Sequence, residues 1–191
     1  MDFEQRTKVV DYNHIPRLEL YKAWCAGKKV LHIGCVDWPF YPENNLHIAL
    51  QEVTDFCDGY DSRNDRYSLL RPHLKNDSEL FVDTYQILQC QYDVVLIPEV
   101  VEHVEDLFSF FHVMSHINTK QYIVTVPCAI QCAQHSFGIE EDTVVEVVHP
   151  EHLCWYSPYT LRNTIETYTN WKIDFMFWNN GISVGAICTK G

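Results

Sequence analysis

Residues 30–35 read VLHIGC, and residues 59–61 read GYD. Each stretch closes an apolar run: Gly34 ends the first run, and Asp61 ends the second with a carboxylate. In an α/β sheet, a glycine turn lets the backbone approach a ligand, and an acid at the end of the next strand can bind ribose hydroxyls. The pairing therefore predicts a nucleoside site, and we expect the ligand to be an adenosine cofactor.

A third apolar run, residues 92–97, leads directly into the sequence PEVVEH at residues 98–103. Ligands of open α/β sheets bind at the carboxyl ends of the strands. The acids of this stretch and His103 would then lie at the same edge as the nucleoside site. Candidate catalytic groups and the candidate cofactor site therefore coincide.

The composition limits the class of protein. The chain has 191 residues, 47% of them hydrophobic, which suits a single domain with one core. Its formal net charge of −12 would repel phosphate backbones and anionic membrane surfaces, so we expect no nucleic-acid partner. No apolar stretch approaches the ~18 residues of a membrane span, and the N-terminus lacks a secretion signal. We expect a soluble cytoplasmic protein of unknown oligomeric state.

The eight cysteines predict reduced, mostly buried thiols, because disulfide frameworks belong to short secreted chains. The densest cluster of possible metal ligands has no standard zinc spacing; it comprises Cys128, Cys132, His135, His149 and His152. We therefore expect no metal site.

Strand-like and helix-like segments alternate along the chain, which predicts a parallel sheet covered on both faces. Residues 172–178 and 182–189 then form two strand-like runs with a link so short that they must pair antiparallel. We divide the single domain 1–191 into an N-terminal cap helix region (1–27), a cofactor-binding half (28–126) and a substrate-side segment with the terminal hairpin (127–191).

Three local predictions can be checked directly. We expect a strand over residues 79–83 and a short helix over residues 67–74. We also expect a long helix after the fourth strand, with one buried stripe that contains Val104, Leu107, Phe108, Phe111 and Met114.

In this order the motifs resemble those of the class I S-adenosylmethionine-dependent methyltransferases. Residues 30–35 resemble the family's first motif, residues 59–61 its ribose acid, and residues 83–84 its adenine-contacting pair. Residues 92–103 resemble its fourth-strand motif, which ends in Glu-His. The resemblance implies an α/β, Rossmann-like, doubly wound sheet of seven mostly parallel strands with a C-terminal antiparallel hairpin.

A narrower resemblance is to bacterial methyltransferases found among sugar and cell-surface glycan genes. It is carried by Leu-His-x-Gly-Cys at residues 31–35, by a Leu-His pair at residues 46–47, and by the histidine-rich stretch 149–156. It implies that the acceptor is a sugar or glycan.

The resemblance also assigns the cofactor, S-adenosylmethionine, with S-adenosylhomocysteine as product. Asp61 can accept hydrogen bonds from both ribose hydroxyls, and Asp83 can bind the adenine amino group, although a loop aspartate that caps a helix is its competitor. Glu99 can orient the amino group of the methionine part, or simply cap the next helix. The full cofactor-binding set is His32, Gly34, Cys35, Asp61, Ser62, Asp83, Thr84, Pro98 and Glu99.

A sugar hydroxyl must lose its proton, and histidine is suited to accept it near neutral pH. Our first candidate is His103, which follows the fourth strand, and its alternative role is to shape the loop through backbone hydrogen bonds. His149 and His152 are second candidates, because in this family the segment after the fifth strand commonly lines the acceptor pocket. Four aromatic side chains could contact the acceptor or pack in the core: Trp38, Tyr41, Trp155 and Tyr156.

The leading hypothesis is therefore an O-methyltransferase that uses S-adenosylmethionine and acts on a sugar or glycan hydroxyl, with another small molecule as the nearest variant. A non-catalytic partner subunit is the second hypothesis, because the first motif has a single glycine. A nicotinamide oxidoreductase is the third, but the terminal hairpin and the missing Gly-x-Gly-x-x-Gly argue against it.

Overall fold

Ten strands and seven α-helices alternate along most of the chain in a computed structural model that describes residues 3–75 and 77–191. The strands are β1 (Val9–Asp11), β2 (Lys29–Ile33), β3 (Phe56–Tyr60), β4 (Leu80–Phe81), β5 (Val94–Pro98), β6 (Gln121–Pro127), β7 (Phe137–Glu140), β8 (Thr143–Glu146), β9 (Lys172–Asn179) and β10 (Ser183–Thr189). The helices are α1 (Arg17–Cys25), α2 (Leu46–Gln51), α3 (Tyr67–Leu70), α4 (Thr84–Leu88), α5 (Leu107–His116), α6 (Ala129–Ser136) and α7 (Pro158–Tyr168).

Eight of these strands form one mixed sheet in the order β1-β9-β10-β6-β5-β2-β3-β4. The strands from β6 to β4 are parallel to one another, and β10 pairs antiparallel with both β6 and β9. The predicted α/β class, the parallel sheet and the C-terminal hairpin are confirmed. The strand count is eight rather than seven, because β1 adds a parallel edge strand to β9.

Side chains on the two faces of the sheet enter two separate cores. Leu31 and Val95 face a core that is closed by α5 and α7, whereas Val30 and Leu96 face a core closed by α1 and α2. Because both faces are covered, the central strands read as continuous apolar runs rather than as alternating patterns. No helix within the described residues is both long enough and apolar enough to cross a membrane.

Two elements begin or end at residues other than the predicted ones. The strand predicted over residues 79–83 is only Leu80–Phe81, because the Asp83 side chain accepts a hydrogen bond from Tyr85 N–H (2.8 Å) and starts α4. The helix predicted over residues 67–74 ends as α-helix at Leu70 and continues as a 3₁₀ turn, Arg71–His73.

The prediction of a long helix with one buried stripe after β5 is wrong for the first part of the helix. Helix α5 starts only at Leu107, where the Asp106 side chain accepts a hydrogen bond from Ser109 N–H (3.0 Å). Val104 therefore lies outside the helix, and Phe108 points to solvent with 66% of its surface exposed. Phe111 and Met114 are buried as predicted.

A small antiparallel pair, β7 and β8, forms a separate two-stranded sheet between α6 and the histidine-rich stretch 149–156. Its side chains are mostly exposed, including Ile139 and Val144. The sequence analysis did not predict this hairpin.

Two histidines lie inside the core, where their neutral form is favoured. The rings of His32 and His47 are 5.4 Å apart and both are buried. The ring of His47 also contacts Cys57 Sγ (3.6 Å) and Gln51 Nε2 (3.4 Å). Burial lowers the pKa of His47 to about 3. The pKa of His32 lies well below its ordinary value, because the ring is buried and because His47 and Arg17 lie nearby.

This burial predicts a defined pH dependence of stability. The unfolded chain binds a proton at His47 near pH 6.5, whereas the folded chain does so only at about 3, so between these values the folded state loses stability as the pH falls. The His47→Gln variant lacks this proton-binding group. The unfolding free energy of the unmodified protein minus that of the variant should therefore fall by about 1.4 kcal/mol for each pH unit below pH ~6.5. Urea unfolding at several pH values measures this difference.

The exposed His14→Gln substitution is the matched control, and its stability curve should run parallel to that of the unmodified protein. A curve for His47→Gln that also runs parallel would contradict the assignment of a neutral buried ring.

Candidate functional site

A cavity of about 500 Å³ opens where the carboxyl ends of β2, β3 and β5 meet. Gly34, Asp61 and Pro98, which end or directly follow these three strands, all line it. A cavity of this size is typical of small-molecule sites. The edge predicted from the sequence is therefore a real concave site.

The turn after β2 brings backbone close to the cavity. Gly34 has a φ of +75°, and a Cβ at this position would lie 2.5 Å from Val100 Cγ2. Its N–H donates to the carbonyl of Tyr60 (2.8 Å), which fixes the turn beside β3. Glycine is thus required both by the left-handed backbone and by the close approach of Val100.

Asp61 reaches back toward this turn. Its carboxylate accepts hydrogen bonds from Val36 N–H (2.9 Å) and Arg63 N–H (2.8 Å), one on each oxygen. Burial raises the pKa of Asp61, and these two hydrogen bonds oppose the rise. Each oxygen keeps a further lone pair, so the carboxylate can still accept hydrogen bonds from a ligand. Its neighbour Ser62 also lines the cavity.

A pair of opposite charges lies on another wall. Arg17 and Glu99 both line the cavity and are half-buried, and Glu99 is held at a φ of +54°. Ser183 Oγ donates to Glu99 Oε2 (3.1 Å), while Glu99 Oε1 and Arg17 Nε have no hydrogen-bond partner among the described residues. Arg17 was not predicted as a site residue, although it starts the helix of the predicted N-terminal cap region.

Three histidines converge on a further wall of the cavity. The ring of His103 lies 4.6 Å from that of His152 and 5.5 Å from that of His149, measured between centroids. Backbone contacts hold them: Leu153 N–H donates to the carbonyl of Glu102 (2.9 Å), and His103 Nδ1 donates to the carbonyl of Glu151 (3.1 Å). The structure therefore brings together all three predicted catalytic candidates.

The local environment favours neutral imidazoles. Burial lowers the pKa of His103, and burial together with His103 and His149 lowers the pKa of His152 to about 4. Neutral imidazole nitrogens carry free lone pairs at neutral pH, so the cluster can accept a proton or bind a cation.

Glu102 lies directly beneath this cluster and was not assigned a role from the sequence. Its side chain is 0% exposed, and neither carboxyl oxygen has a hydrogen-bond partner among the described residues. Burial, and then the charge of Glu99, raises the pKa of Glu102. A buried carboxyl group without partners costs stability, so it needs an explanation in terms of the site.

No family model matches this chain, and no curated protein matches it with significance. Solved structures do match. The DhpI complex with S-adenosylhomocysteine aligns over 92% of this chain and 82% of that chain, with a TM-score of 0.60 and 14% identity. An S-adenosylmethionine-dependent methyltransferase from Mesorhizobium loti aligns over 93% and 100%, with a TM-score of 0.60 and 10% identity. The N-methyltransferase NodS from Bradyrhizobium japonicum aligns over 91% of both chains, with a TM-score of 0.56 and 12% identity.

The chain has the class I methyltransferase fold. The resemblance drawn from the ordered motifs is confirmed at the level of the fold. The identities are low, so the comparisons do not extend to the narrower resemblance to sugar and glycan methyltransferases.

In this methyltransferase fold, two of the four predicted acceptor-binding aromatics line the cavity. Trp38 does so with 57% of its surface exposed and with the Arg66 guanidinium 4.0 Å from its ring centre. Trp155 lines it too, and its Nε1 donates to Glu146 of β8 (3.1 Å). Tyr41 is exposed outside the cavity lining, and Tyr156 is buried in the core, so neither is placed to contact an acceptor there.

Four predicted cofactor residues are also absent from the cavity lining. The side chains of His32 and Cys35 are both buried, and Cys35 packs in a third apolar cluster with Tyr67 and Leu70. Asp83 caps α4, which is the alternative role considered for it, and Thr84 is the first residue of that helix. The cofactor candidates that the structure brings together are Gly34, Asp61, Ser62, Pro98 and Glu99.

The Gly34 turn predicts an asymmetry between two glycine substitutions. Gly27 also has a positive φ (+62°), but a Cβ there meets nothing within 4 Å. We expect Gly27→Ala to cost about 1 kcal/mol for the backbone alone. Gly34→Ala adds overpacking against Val100, so its total cost should be roughly 2–4 kcal/mol. Urea unfolding of both variants measures the difference, and equal costs would contradict the close approach.

Proposed function

We propose that this protein is an S-adenosylmethionine-dependent O-methyltransferase that acts on a hydroxyl group of a sugar or glycan, or of another small molecule. The observation that supports this most is that one cavity is lined by the acid Asp61, by the oppositely charged Arg17 and Glu99, and by a cluster of three histidines. The first two features could hold the cofactor, and the third could accept the proton of an acceptor hydroxyl.

The nucleoside part of the cofactor fits the wall formed by Gly34 and Asp61. The glycine turn lets the ligand approach the backbone, and the Asp61 carboxylate has free lone pairs for the two ribose hydroxyls. Ser62 and Pro98 complete this side of the cavity.

The methionine part of the cofactor is a zwitterion, and the Arg17–Glu99 wall is complementary to it. We assign the α-carboxylate to Arg17, whose Nε lacks a partner among the described residues, and the α-amino group to Glu99, whose Oε1 lacks one too. These two buried polar atoms would both be satisfied by the ligand, which offsets the cost of leaving them unpaired.

When bound, S-adenosylmethionine supplies an electrophilic methyl group: the acceptor oxygen bonds to the methyl carbon, the carbon–sulfur bond breaks with its electron pair on sulfur, and S-adenosylhomocysteine is released. The protein mainly has to hold the acceptor in line, which can contribute ~7–11 kcal/mol. Trp38 and Trp155 offer apolar faces for a sugar ring beside the cavity.

The proton of the acceptor hydroxyl leaves at the histidine cluster. His103, His149 and His152 all line the same cavity as Glu99 and Asp61, so an acceptor held next to the methyl group would lie against them. The low pKa values of His103 and His152 keep both rings in the neutral form that this role requires.

The cysteines support the proposed cytoplasmic location. The eight cysteines are all free thiols, as is usual in a reducing compartment, which supports the cytoplasm. We treat residues 1–191 as one catalytic domain.

The first test of this proposal is cofactor binding. Isothermal titration with S-adenosylmethionine should show one site, and Asp61→Ala should weaken binding by about 100-fold or more, since two hydrogen bonds to a charged group are lost. Asp55→Ala is the matched control: it removes an exposed acid that directly precedes β3, at the opposite end of the strand from Asp61. It should leave the affinity unchanged.

Circular dichroism and thermal unfolding of Asp61→Ala check that the protein still folds, because the Asp61 carboxylate also accepts hydrogen bonds from Val36 and Arg63. A protein that binds no S-adenosylmethionine, or that prefers a nicotinamide dinucleotide in competition, would overturn the proposal.

The second test is turnover. Sugar, glycan and other small-molecule hydroxyl acceptors are screened by mass spectrometry for the gain of one methyl group. With an acceptor in hand, His103→Ala should lower kcat by ~100-fold while the affinity for S-adenosylmethionine holds, because the ring acts on the acceptor and not on the cofactor. His116→Ala, on the exposed side of α5, should not change kcat. Unchanged turnover in His103→Ala would remove His103 from the mechanism.

A further inference from the structure

We infer that His103, His152 and Glu102, with His149 as a fourth ligand, bind a divalent transition-metal ion. This differs from the expectation of no metal site, which was drawn from the spacing of Cys128, Cys132, His135, His149 and His152. The cluster that forms instead recruits His103 and Glu102 from the 3₁₀ turn Val101–His103, which follows β5.

The distances around Glu102 point to an ion. His103 Nε2 and His152 Nε2 each lie 3.9 Å from Glu102 Oε1. This separation is too long for a hydrogen bond, but it is about twice the 2.0–2.1 Å of a bond from nitrogen or oxygen to Zn²⁺. An ion between these atoms would satisfy a fully buried carboxylate that has no partner among the described residues.

The hydrogen bond of His103 prepares the ring for this role. Its Nδ1 donates to the carbonyl of Glu151 (3.1 Å), which leaves the lone pair on Nε2, the nitrogen that faces Glu102 and His152. Metal-binding histidines typically donate their other ring N–H to a carbonyl or carboxylate in this way. The backbone of residues 151–153 thus fixes both the position of the ring and its tautomer.

His149 completes the set more loosely. One ligand atom each from His103, His149 and His152 lies within 4.8 Å of the other two. Ligands of one ion at ~2.1 Å are separated by roughly 3.4–4.2 Å, so the exposed His149 ring has to move inward. Its Nδ1 also accepts a long hydrogen bond from Glu151 N–H (3.3 Å), which restrains the ring. We therefore assign His149 as the weakest ligand.

The donor set selects the class of metal. Imidazole nitrogen suits Zn²⁺, Fe²⁺, Co²⁺ and Ni²⁺, whereas Mg²⁺ and Ca²⁺ prefer sites made of oxygen alone. Three nitrogens and one carboxylate oxygen therefore fit a first-row transition-metal ion. All four residues line the cavity, so the ion would keep an open position on the ligand side.

The role of this ion rests on the proposed function. With an ion bound, the imidazole lone pairs would be used by the metal, so the ion would take over the role that the proposed function gives to the metal-free His103 ring. A hydroxyl group of the acceptor in the open position would become a stronger acid and would lose its proton to water at the cavity mouth. The metal site itself needs neither cofactor nor acceptor and can be tested without them.

The experiment titrates the protein, first treated with EDTA and dialysed, with Zn²⁺ and separately with Co²⁺. Calorimetry should show one tight site, and Co²⁺ should develop visible absorption typical of nitrogen ligation. His152→Ala and Glu102→Gln should each weaken binding at least about tenfold, since even the loss of a residue that only supports a ligand costs this much. His149→Ala should have a smaller effect.

His116→Ala is the matched control, because His112 and His116 lie one turn apart on α5 with ring centroids 4.5 Å apart and could bind the same ions at the surface. Unchanged affinity in His116→Ala supports the cluster. Loss of the tight site in His116→Ala, or unchanged affinity in both His152→Ala and Glu102→Gln, overturns the inference.

Two further measurements separate the possible failures. Thermal unfolding of metal-free Glu102→Gln should be close to that of the unmodified protein, because glutamine has the size and shape of glutamate and the replaced carboxyl oxygens have no hydrogen-bond partner among the described residues. A large loss of stability would show a structural role instead. Titration with S-adenosylmethionine on the same samples tests the proposed function independently. Cofactor binding without metal binding overturns this inference alone, and metal binding without cofactor binding overturns the proposed function alone.

Discussion

The parallel register of β2 between β3 and β5 is the constraint on which the site depends. Leu31 of β2 lies opposite both Asp58 and Val95, so the three strands end level with one another. The residues that follow the strands must then share one edge, and the glycine at the end of β2 lets Val100 pack against the turn. The acid after β3 can therefore bond to backbone after β2, which places the ribose-binding candidate beside the turn.

Most of this architecture is encoded locally, which is why it could be predicted. The central strands are buried on both faces and read as apolar runs, and the short link before β10 permits only an antiparallel return. Strand β1 has three residues and no alternation, and it becomes a strand only through pairing with β9 at the far end of the chain. A local pattern carries no information about such a partner.

The parts of the site that local sequence patterns determine were predicted, and the parts that depend on distant partners were missed. Asp61 and Glu99 follow strands directly, so their placement needed only the strand ends. Tyr156 and Trp155 looked equivalent in the sequence, but adjacent side chains in extended backbone point to opposite sides, and only Trp155 faces the cavity. The importance of Glu102 depends on the missing partners of its carboxyl group, which only a three-dimensional structure can show.

The position of the histidine cluster is set by backbone rather than by charge. An ion pair between Arg63 and Glu151 also ties the histidine-rich stretch to the region after β3. Both partners are about a third exposed or more, so solvent screening limits this pair to no more than about 1 kcal/mol. The hydrogen bonds from Leu153 N–H and from the His103 ring are the more specific constraint, because they join the stretch to the turn that carries Glu102. Residues 102 and 103 therefore act as one unit: the carbonyl of the first and the ring of the second hold the segment that brings His152 to the buried carboxyl group.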